Sequence, residues 1–474
     1  MALSDEEREL FGRLTANLPR VVRQNKILDA YYDGEQRVEQ LGLAIPPELR
    51  QFLTIVAWPG TYVDAIEERI DLEGFRLPGS DEADEDLWQV WQANDLDEES
   101  QIGHLETLVR RDAFVIVGGA DEETPDSPAA GGGDADRDPA IPLITVESSD
   151  EVAVERSPRT RRVSAAAKLY RDGPTLRGTL YQPHATVWLE RQSARWVEVE
   201  RDEHSLGVVP VVPLVNRPRL SRREGRSQMH RVISLTDAAA RALTNAQVAT
   251  EVMAIPQRWV VGASATDFKD PRTKEQLTTW ESYFGAIWAL ANKDAKAGQF
   301  TAADLSNFKT IVDHYASLVA GVTGLPMRYL GQSTTNPPSA EGIRADESRL
   351  IKTCERFQRG AGGSWERVMR LVRRIIDGDW NPDLAQLETL WRDPATPTKA
   401  AAADAAVKLV QAGILPVEAA WEDMGYSAVR RRKLRAMREA ELAQDPVREI
   451  AAGLAPPQQD PAGTDPALDD VVAG

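Results

Sequence analysis

Two long helical patterns dominate the distribution of apolar residues in the second half of the chain. Between residues 300 and 321, apolar side chains recur three and four positions apart, which predicts a helix with one apolar face. The positions are Leu305, Phe308, Val312, Tyr315 and Val319. This face ends at Gly321, and Gly324 followed by Pro326 predicts a sharp stop.

A second apolar face predicts a longer helix between residues 343 and 376. Its positions are Ile343, Leu350, Ile351, Cys354, Phe357, Val368, Met369, Val372 and Ile376. Gly360, Gly362 and Gly363 interrupt the face, so we expect a kink or a break there. Residues 331–340, between the two helices, carry no charge and no large apolar side chain. This loop is either a solvated connector or a segment that the helices present to a partner.

Helices precede strands in the first half of the chain. One helix is predicted over residues 4–33, with Ser4 as its N-cap. A shorter amphipathic helix over residues 63–70 is predicted to end at Gly74, and another is predicted around residues 87–91. The aromatic side chains of this part are predicted to be core residues.

Short apolar runs then predict a meander of strands. The runs cover residues 113–117, 143–146, 152–154, 165–171, 179–187 and 196–199, with turns at 172–173 and 192–193. Residues 118–142 are rich in Gly, Ala, Asp and Pro, which is typical of a mobile surface loop. Residues 208–215 contain Pro210 and Pro213, which predict an edge strand or a connector because proline cannot donate to a strand ladder.

Six arginines between residues 217 and 231 form the most basic patch of the chain. Two interpretations stay open. The patch contacts phosphates, or it is a solvated linker whose cations offset acidic neighbours in an oligomer, and the second is the plainer one. A helix with many alanines is predicted from Ser227 to Val252, and its small side chains allow close packing against a neighbour.

A small mixed unit separates this helix from the one ending at Gly321. Strands are predicted at residues 257–261 and 287–290, with a helix at 273–283 between them. Near the C-terminus, an alanine-rich helix is predicted from Thr398, followed by a helix–turn–helix pattern and a charged helix over 428–444. A DNA-binding helix–turn–helix is the alternative for this part, but acidic residues are interleaved with its basic run.

The composition limits the function of the 474-residue chain. With 56 Lys and Arg against 74 Asp and Glu, its formal net charge is −18, which disfavours tight binding of DNA to a free monomer. DNA passing through a neutral or acidic channel is compatible with this charge. The one cysteine, Cys354, excludes a disulfide framework. We expect no signal peptide and no membrane span, since no apolar run reaches roughly 18 residues.

No catalytic or cofactor motif is present in the sequence. A search for a phosphate-binding loop, HExxH, paired CxxC or a GxSxG elbow finds none. The histidines are scattered without the spacing of metal ligands: His104, His184, His204, His230 and His314. We therefore expect no enzyme, no cofactor and no metal. An unrecognised hydrolase is a remote alternative, because carboxylate sites leave weak traces in a sequence.

The region from residue 305 to residue 351 resembles a known family. The runs DHYASLVAGVTGLPMRYLG and TTNPPSAEGIRADESRLI are similar to the stem and tunnel segment of the portal proteins of tailed double-stranded DNA bacteriophages, of the siphovirus, Gp6-like type. The order of helix, small mixed insert, helix, loop and long helix is similar as well, most strongly over residues 205–425. The resemblance implies a mainly helical α+β fold and a dodecameric ring at one capsid vertex, through which DNA is packaged and ejected.

The resemblance also implies a division of the chain. The parts are a wing (1–222), a stem helix (223–253), a clip (254–300), a second stem helix (301–321), a tunnel loop with a long kinked helix (322–395), a helical crown (396–445) and a disordered acidic tail (446–474).

Site residues and partners follow from the same resemblance. The tunnel loop is implied to approach DNA through uncharged polar residues suited to brief hydrogen bonds with phosphates: Gln332, Ser333, Thr334, Thr335 and Asn336. Aromatic residues of the clip are either core, which we favour, or partner contacts: Trp259, Trp280, Phe284 and Trp288. The implied partners are the terminase large subunit, the head–tail adaptor, and the major capsid and scaffolding proteins. The virion is the implied location, after synthesis in the host bacterial cytoplasm. An oligomeric scaffold or adaptor that never touches DNA is the competing class.

Overall fold

Helices and strands occur in blocks along the chain, which gives a mixed α+β fold, as predicted. The computed structural model describes residues 3–36, 54–80, 83–119, 140–193, 195–253, 258–262, 294, 296–299, 306–332, 339–395, 399–424, 426 and 428–443. Two compact units divide the chain, Met1–Ala395 and Thr396–Gly474.

Five helices open the first unit: α1 (Asp5–Thr15), α2 (Leu18–Asp33), α3 (Trp58–Glu67), α4 (Glu85–Ala93) and α5 (Leu96–Arg110). Ser4 caps α1 in a capping box with Glu7, as predicted, and Gly34 ends α2 at φ 72°. The prediction of one helix over residues 4–33 is wrong. Pro19 lies in the first turn of α2, and because proline lacks an N–H and its ring clashes with the preceding turn, the helix has to restart there.

The short strand β1 (Leu72–Arg76) corrects a second prediction. Gly74 does not end the preceding helix, which stops at Glu67, but lies inside this strand. β1 pairs antiparallel with β12 (Glu388–Trp391), so an early and a late segment of the first unit meet in one small sheet.

A three-stranded sheet lies in the main core, in the order β3 (Leu143–Ser148), β2 (Asp112–Gly118), β9 (Val211–Val215). The central strand β2 is buried along almost its whole length because helices pack on it. β9 is an edge strand, which is one of the two alternatives that Pro210 and Pro213 predict; Pro213 lies within it and Pro210 just before it.

A five-stranded antiparallel meander follows, with β4 (Val152–Arg156), β5 (Val163–Asp172), β6 (Thr175–Tyr181), β7 (Ala185–Gln192) and β8 (Arg195–Glu203). The predicted turns at 172–173 and 192–193 are confirmed. The predicted strand over 179–187 is wrong, because a turn containing Pro183 divides it between β6 and β7. Phe11 of α1 packs on this sheet, where a Cβ on Gly178 would lie 2.4 Å from the Phe11 ring.

Three long helices complete the first unit: α6 (Ile233–Met253), α7 (Ser306–Thr323) and α8 (Ala340–Asp377). α6 begins later than predicted, because residues 228–231 form a 3₁₀ turn that Ser227 caps. α8 continues through Gly360, Gly362 and Gly363, so the predicted break is wrong, while a kink stays a prediction. Gly362 instead permits a close approach, since a Cβ there would lie 2.4 Å from Thr389 Oγ1 in β12.

The main core forms where α3, α4, α5 and α8 meet the three-stranded sheet. Trp91 and Trp365 are almost fully buried and contact each other edge to face, with ring centroids 4.9 Å apart. Cys354 is buried in the same core, as its position on the apolar face of α8 predicts.

Strand β10 (Arg258–Val261) pairs with β11 (Lys296–Gln299). The first strand agrees with the predicted strand at 257–261, whereas β11 was not predicted. The predicted helix at 273–283 and strand at 287–290 lie outside the described residues.

The second unit contains α9 (Lys399–Gln411), α10 (Val417–Asp423) and α11 (Ala428–Ala443). These helices agree with the three predicted from the sequence. Arg435 of α11 forms an ion pair with Glu418 of α10, 2.9 Å between the charged atoms. The predicted disordered tail, residues 446–474, lies outside the described residues.

Candidate functional site

The predicted tunnel loop begins where α7 ends, and glycine makes that end. Gly324 has a φ of +81°, and its N–H donates to the carbonyl oxygen of Ala320 over 2.8 Å. A Cβ at this position would lie 2.7 Å from Cβ of Arg349 in α8. Glycine is therefore required twice, for the left-handed backbone and for the close contact between the helices.

A tight turn then leads into the loop itself. Residues 327–330 form one 3₁₀ turn, which Gly331 ends at φ 79°. The side-chain amide of Gln332 donates to the carboxylate of Asp313 on α7. The first residue of the predicted DNA-contacting set is thus held against the helix that precedes it.

The far end of the loop is fixed by the start of α8. Ser339 is the N-cap residue, and its Oγ accepts a hydrogen bond from the N–H of Gly342 over 3.2 Å. Further along α8, Arg349 Nη1 donates to the carbonyl oxygen of Gly321 in α7 over 2.8 Å. Both ends of the loop are therefore anchored to helices that contact each other.

A buried carboxylate joins this loop base to the N-terminal part of the chain. Glu347 of α8, with 11% of its side chain exposed, lies 3.4 Å from Arg69 Nη2 and also pairs with Arg328. Arg69 donates a second hydrogen bond to the hydroxyl of Tyr329 over 3.2 Å. Because a buried carboxylate needs charged partners, this network fixes the 3₁₀ turn relative to α3 and α8.

Helices α6 and α7 pack against each other, and α7 keeps an exposed apolar face. Ile311, Leu318 and Val322 are 43%, 40% and 37% exposed and are spaced seven and four residues apart. This spacing places them on one side of the helix. We call these three residues the α7 stripe.

Most of the predicted site residues fall outside the described part of the chain. Of the loop set, Gln332 is described, whereas Ser333, Thr334, Thr335 and Asn336 are not. Of the clip aromatics, Trp259 is described, and Trp280, Phe284 and Trp288 are not. Trp259 is 37% exposed in the single chain, and its ring lies over Gly298 of the paired strand, where a Cβ would be 2.5 Å away.

The sequence of this chain matches the family model for phage portal proteins of the SPP1 Gp6-like type over residues 12–439. The chain belongs to this portal protein family. It is 42% identical to the portal protein of Mycobacterium phage D29 over 422 residues, and 43% identical to that of Mycobacterium phage L5 over the same length. Each match covers 87% of this chain and 85% of the relative.

Solved structures from gene transfer agent particles are weakly similar to this portal chain. A chain from the virion of a native particle gives a TM-score of 0.44 at 13% identity, covering 85% of this chain and 99% of that one. A chain from the neck of an empty particle gives 0.43 at 14% identity, covering 81% and 94%. The family assignment rests on the sequence matches.

Portal proteins are structural components of the virion, so this chain is not an enzyme, as predicted. The reactive side chains of the core agree with a structural role. Burial raises the pKa of the Cys354 thiol to about 12 and lowers the pKa of His104 to about 3. His104 Nε2 accepts a hydrogen bond from Trp365 Nε1 over 2.9 Å. Both side chains are therefore neutral core groups at neutral pH.

The described residues hold no cluster of three or more His, Cys, Asp or Glu side chains placed to bind a metal. Within the same residues, every helix is too short or too polar to cross a membrane.

Sequence reasoning missed the residues that hold the loop base, namely Arg69, Glu347 and Arg349. Glu347 carried a usable signal, because it lies four residues after Ile343 and three before Leu350, on the apolar face of the predicted helix. A carboxylate on a buried face indicates a buried ion pair. Its partner Arg69 could not be predicted, since it lies 278 residues away in the sequence.

Proposed function

We propose that this portal chain forms a ring at one vertex of the capsid, through which double-stranded DNA enters during packaging and leaves during ejection. Family membership supports this role. The observation that supports assembly into a ring is the exposed α7 stripe. An apolar helix face that a single chain leaves uncovered is typical of a surface that a second copy covers. In a closed ring, every copy offers this face to a neighbour.

The parts of the ring follow the order of elements along the chain. We assign residues 223–253 and 301–321 to the stem, 254–300 to the clip, 1–222 to the wing, 322–395 to the tunnel loop and long helix, 396–445 to the crown and 446–474 to the acidic tail. The pairing of α6 with α7 supports the stem assignment, because the two helices form one hairpin around the segment 254–300.

In this proposal the tunnel loop approaches the DNA. Its two ends are anchored, by Gln332 to Asp313 and by the cap at Ser339. Ser333, Thr334, Thr335 and Asn336 carry hydroxyl and amide groups without charge, which suits brief contacts with a sliding phosphate backbone. The proposed ring is dodecameric.

Packaging and ejection require partners at both ends of the ring. We propose that the terminase large subunit and later the head–tail adaptor dock on the clip, where the partial exposure of Trp259 provides an aromatic contact. The major capsid and scaffolding proteins surround the ring. Synthesis occurs in the host bacterial cytoplasm, and assembly places the ring in the virion.

The ring is tested by placing a charge in the α7 stripe. The double variant Ile311→Glu/Leu318→Glu is expected to sediment as small species, because two carboxylates would have to be desolvated at every interface. The control Ile27→Glu/Leu409→Glu makes the same substitutions at other exposed positions and is expected to form rings like the parent chain. Mass from light scattering and negative-stain images measures both. Rings of normal mass from the stripe variant would contradict the proposal.

The channel role is tested by charge in the loop. Thr334→Glu/Thr335→Glu is expected to assemble normally but to package less DNA, since carboxylates repel phosphates that pass close by. Thr160→Glu, in the exposed turn between β4 and β5, is the control. Packaged DNA per particle is the measurement. Normal packaging by the loop variant would remove the loop from the DNA path and would favour a scaffold that does not contact DNA.

A further inference from the structure

The basic patch identified in the sequence folds into a concave surface near the α7–α8 junction. A cavity of about 260 Å³ is lined by Arg217, Arg219, Arg222, Arg226, Arg231 and Arg356, together with His230. We call it the arginine groove. A shallower depression continues from it and adds Arg349. Two separate parts of the chain, the segment before α6 and the exposed side of α8, thus supply cations to one place.

The charges of the groove are not neutralised within the described residues. None of the six arginines forms a salt bridge with a described carboxylate, and Nε of Arg222 is buried without a hydrogen-bond partner there. Burial and the neighbouring Arg222, Arg231 and Arg219 lower the pKa of Arg226. Burial and the same arginine cluster also lower the pKa of His230. The groups repel one another, so an anion bound among them would be stabilised.

The carboxylate of the same segment is kept away from the groove. Glu224 does not line the cavity, although it lies between groove arginines in the sequence. Its charge instead acts on Asp112 and Arg156, at the edge of β2 and on β4. Within residues 217–231, the arginines that line the cavity therefore lie on the concave side, and the one carboxylate, Glu224, does not line it.

The segment that carries these arginines is held in a fixed shape. Asn216 exchanges hydrogen bonds with Arg226, from Asn216 Nδ2 to the Arg226 carbonyl and from the Arg226 N–H to the Asn216 carbonyl, both over 2.9 Å. Gly225 makes this possible at φ +77°, where a Cβ would lie 2.4 Å from the Asn216 carbonyl oxygen. A loop this tightly closed presents its side chains without first having to be ordered.

Gln228 fixes the guanidinium group of Arg217, which lines the groove. Its Oε1 accepts from Nε of Arg217 over 2.7 Å, and its Nε2 donates to the hydroxyl of Tyr62 over 2.7 Å. Arg217 itself has a left-handed backbone, with φ 49°. Arg217 thus lines the cavity with a guanidinium group whose Nε is held by Gln228.

We propose that the arginine groove is a phosphate-binding site, separate from the tunnel loop, which takes the phosphate groups of a DNA backbone or of free inorganic phosphate. Guanidinium groups recognise phosphate oxygens with paired N–H donors, and several of them converging on one cavity suit a ligand with several charged oxygens. The contact reads no sequence. The site does not depend on the proposed path of DNA through the tunnel loop.

Binding by the full-length chain tests the site. Affinity for a short labelled duplex is measured by fluorescence anisotropy at several salt concentrations, and affinity for inorganic phosphate by titration calorimetry. The variant Arg222→Gln/Arg226→Gln is expected to bind the duplex roughly tenfold or more weakly, with a salt slope reduced by about 2. The control Arg171→Gln/Arg195→Gln removes two exposed arginines of the five-stranded sheet and is expected to stay within about twofold of the parent chain.

The outcomes separate the sources of phosphate and the competing explanation. Loss of both ligands supports a site for either source, and loss of the duplex alone assigns the site to the DNA backbone. Unchanged binding of both ligands overturns the proposal. A change in oligomer mass without loss of binding also overturns it, and assigns the groove to acidic side chains of a neighbouring copy.

A second variant keeps the test valid if the first one folds poorly. Arg222→Lys/Arg226→Lys retains both charges but loses the paired donors, so we expect an affinity between those of the parent and the glutamine variant. Circular dichroism verifies the fold of each variant. If the arginine groove did not bind phosphate, the proposed portal role would be unaffected. The ring and the tunnel loop are tested separately, by oligomer mass and by packaged DNA.

Discussion

Arginines serve the α7–α8 region in two contrasting ways. Arg69 and Arg328 surround the buried carboxylate of Glu347, whereas the arginines of the groove converge on an open cavity without a described carboxylate among them. The first arrangement contains the carboxylate with which its arginines pair, and it fixes the loop base. The second leaves its charge available to an anion. The comparison shows that the position of the carboxylate, and not the number of arginines, separates a structural cluster from a binding surface.

The largest effect is expected from removing the shared carboxylate of the paired cluster. Glu347→Gln leaves two arginines without their counter-charge, one of them buried, and should cost about 3–5 kcal/mol of unfolding free energy. Glu355→Gln, which removes the half-buried partner of the exposed Lys352, should cost less than about 0.5 kcal/mol. Urea denaturation of both variants measures the difference. Similar midpoints for the two would mean that the paired cluster contributes no more than a surface ion pair.

A paired arginine in the five-stranded sheet, Arg201 of β8, extends the comparison to the effect of pH. Arg201 donates to both carboxylate oxygens of Glu7, over 2.9 and 3.1 Å, and this pairing lowers the pKa of Glu7 to about 2. Because the folded pKa lies below the unfolded one, the pairing stabilises the fold above about pH 4.5, and the stabilisation is lost as the pH falls toward 2.

Arg201→Gln should therefore lower the unfolding free energy at neutral pH by about 1 kcal/mol, and the difference from the parent chain should shrink on acidification. Denaturant midpoints across this pH range measure it. Arg195→Gln, on the same strand and exposed, is the control with no expected pH-dependent difference. A difference that stayed constant with pH would show that Arg201 acts through packing and not through the charge of Glu7.

The smallest change in stability is expected from a substitution in the arginine groove. Unlike the two substitutions above, it should stabilise the fold. Arg226→Gln removes one of several mutually repelling cations, so thermal stability at low salt should rise by at most about 0.5 kcal/mol. The gain should disappear at high salt, where the repulsion is screened. Melting curves at two salt concentrations test this. A loss of stability at low salt would show that Arg226 has a counter-charge in the fold. The arginine groove would then not differ from the paired cluster around Glu347.

Local signals predicted those parts of the fold that depend on neighbouring residues. Ser4 caps a helix, Gly324 ends one, and Pro213 marks the edge strand β9, each by a rule that acts over a few residues. The restart of the helix at Pro19 followed the same kind of rule, but the apolar pattern across it was continuous enough to hide it.

The features of the fold that could not be predicted from the sequence depend on contacts between distant segments. The glycines of α8 predict a kink or a break when only the sequence is considered, whereas in the fold Gly362 lets Thr389 of β12 pack closely against the helix. The arginine patch was visible in the sequence, yet its concave shape depends on Arg356 of α8 and on the turn that directs Glu224 away. The tunnel loop and the clip were predicted through resemblance to a family, because polar loops leave no periodic pattern.

The pairing of β1 with β12 has a consequence for how the chain is made. Asp71 and Arg392, whose side chains meet over 2.9 Å beside this pair of strands, are 321 residues apart. At about 5–20 residues per second, a ribosome needs roughly 15–60 s to produce the second strand after the first. Until then β1 lacks its partner, and a chain that stops short of residue 388 never obtains it. Synthesis past Trp391 thus becomes a condition for closing the first unit, because a shorter chain lacks the strand that pairs with β1.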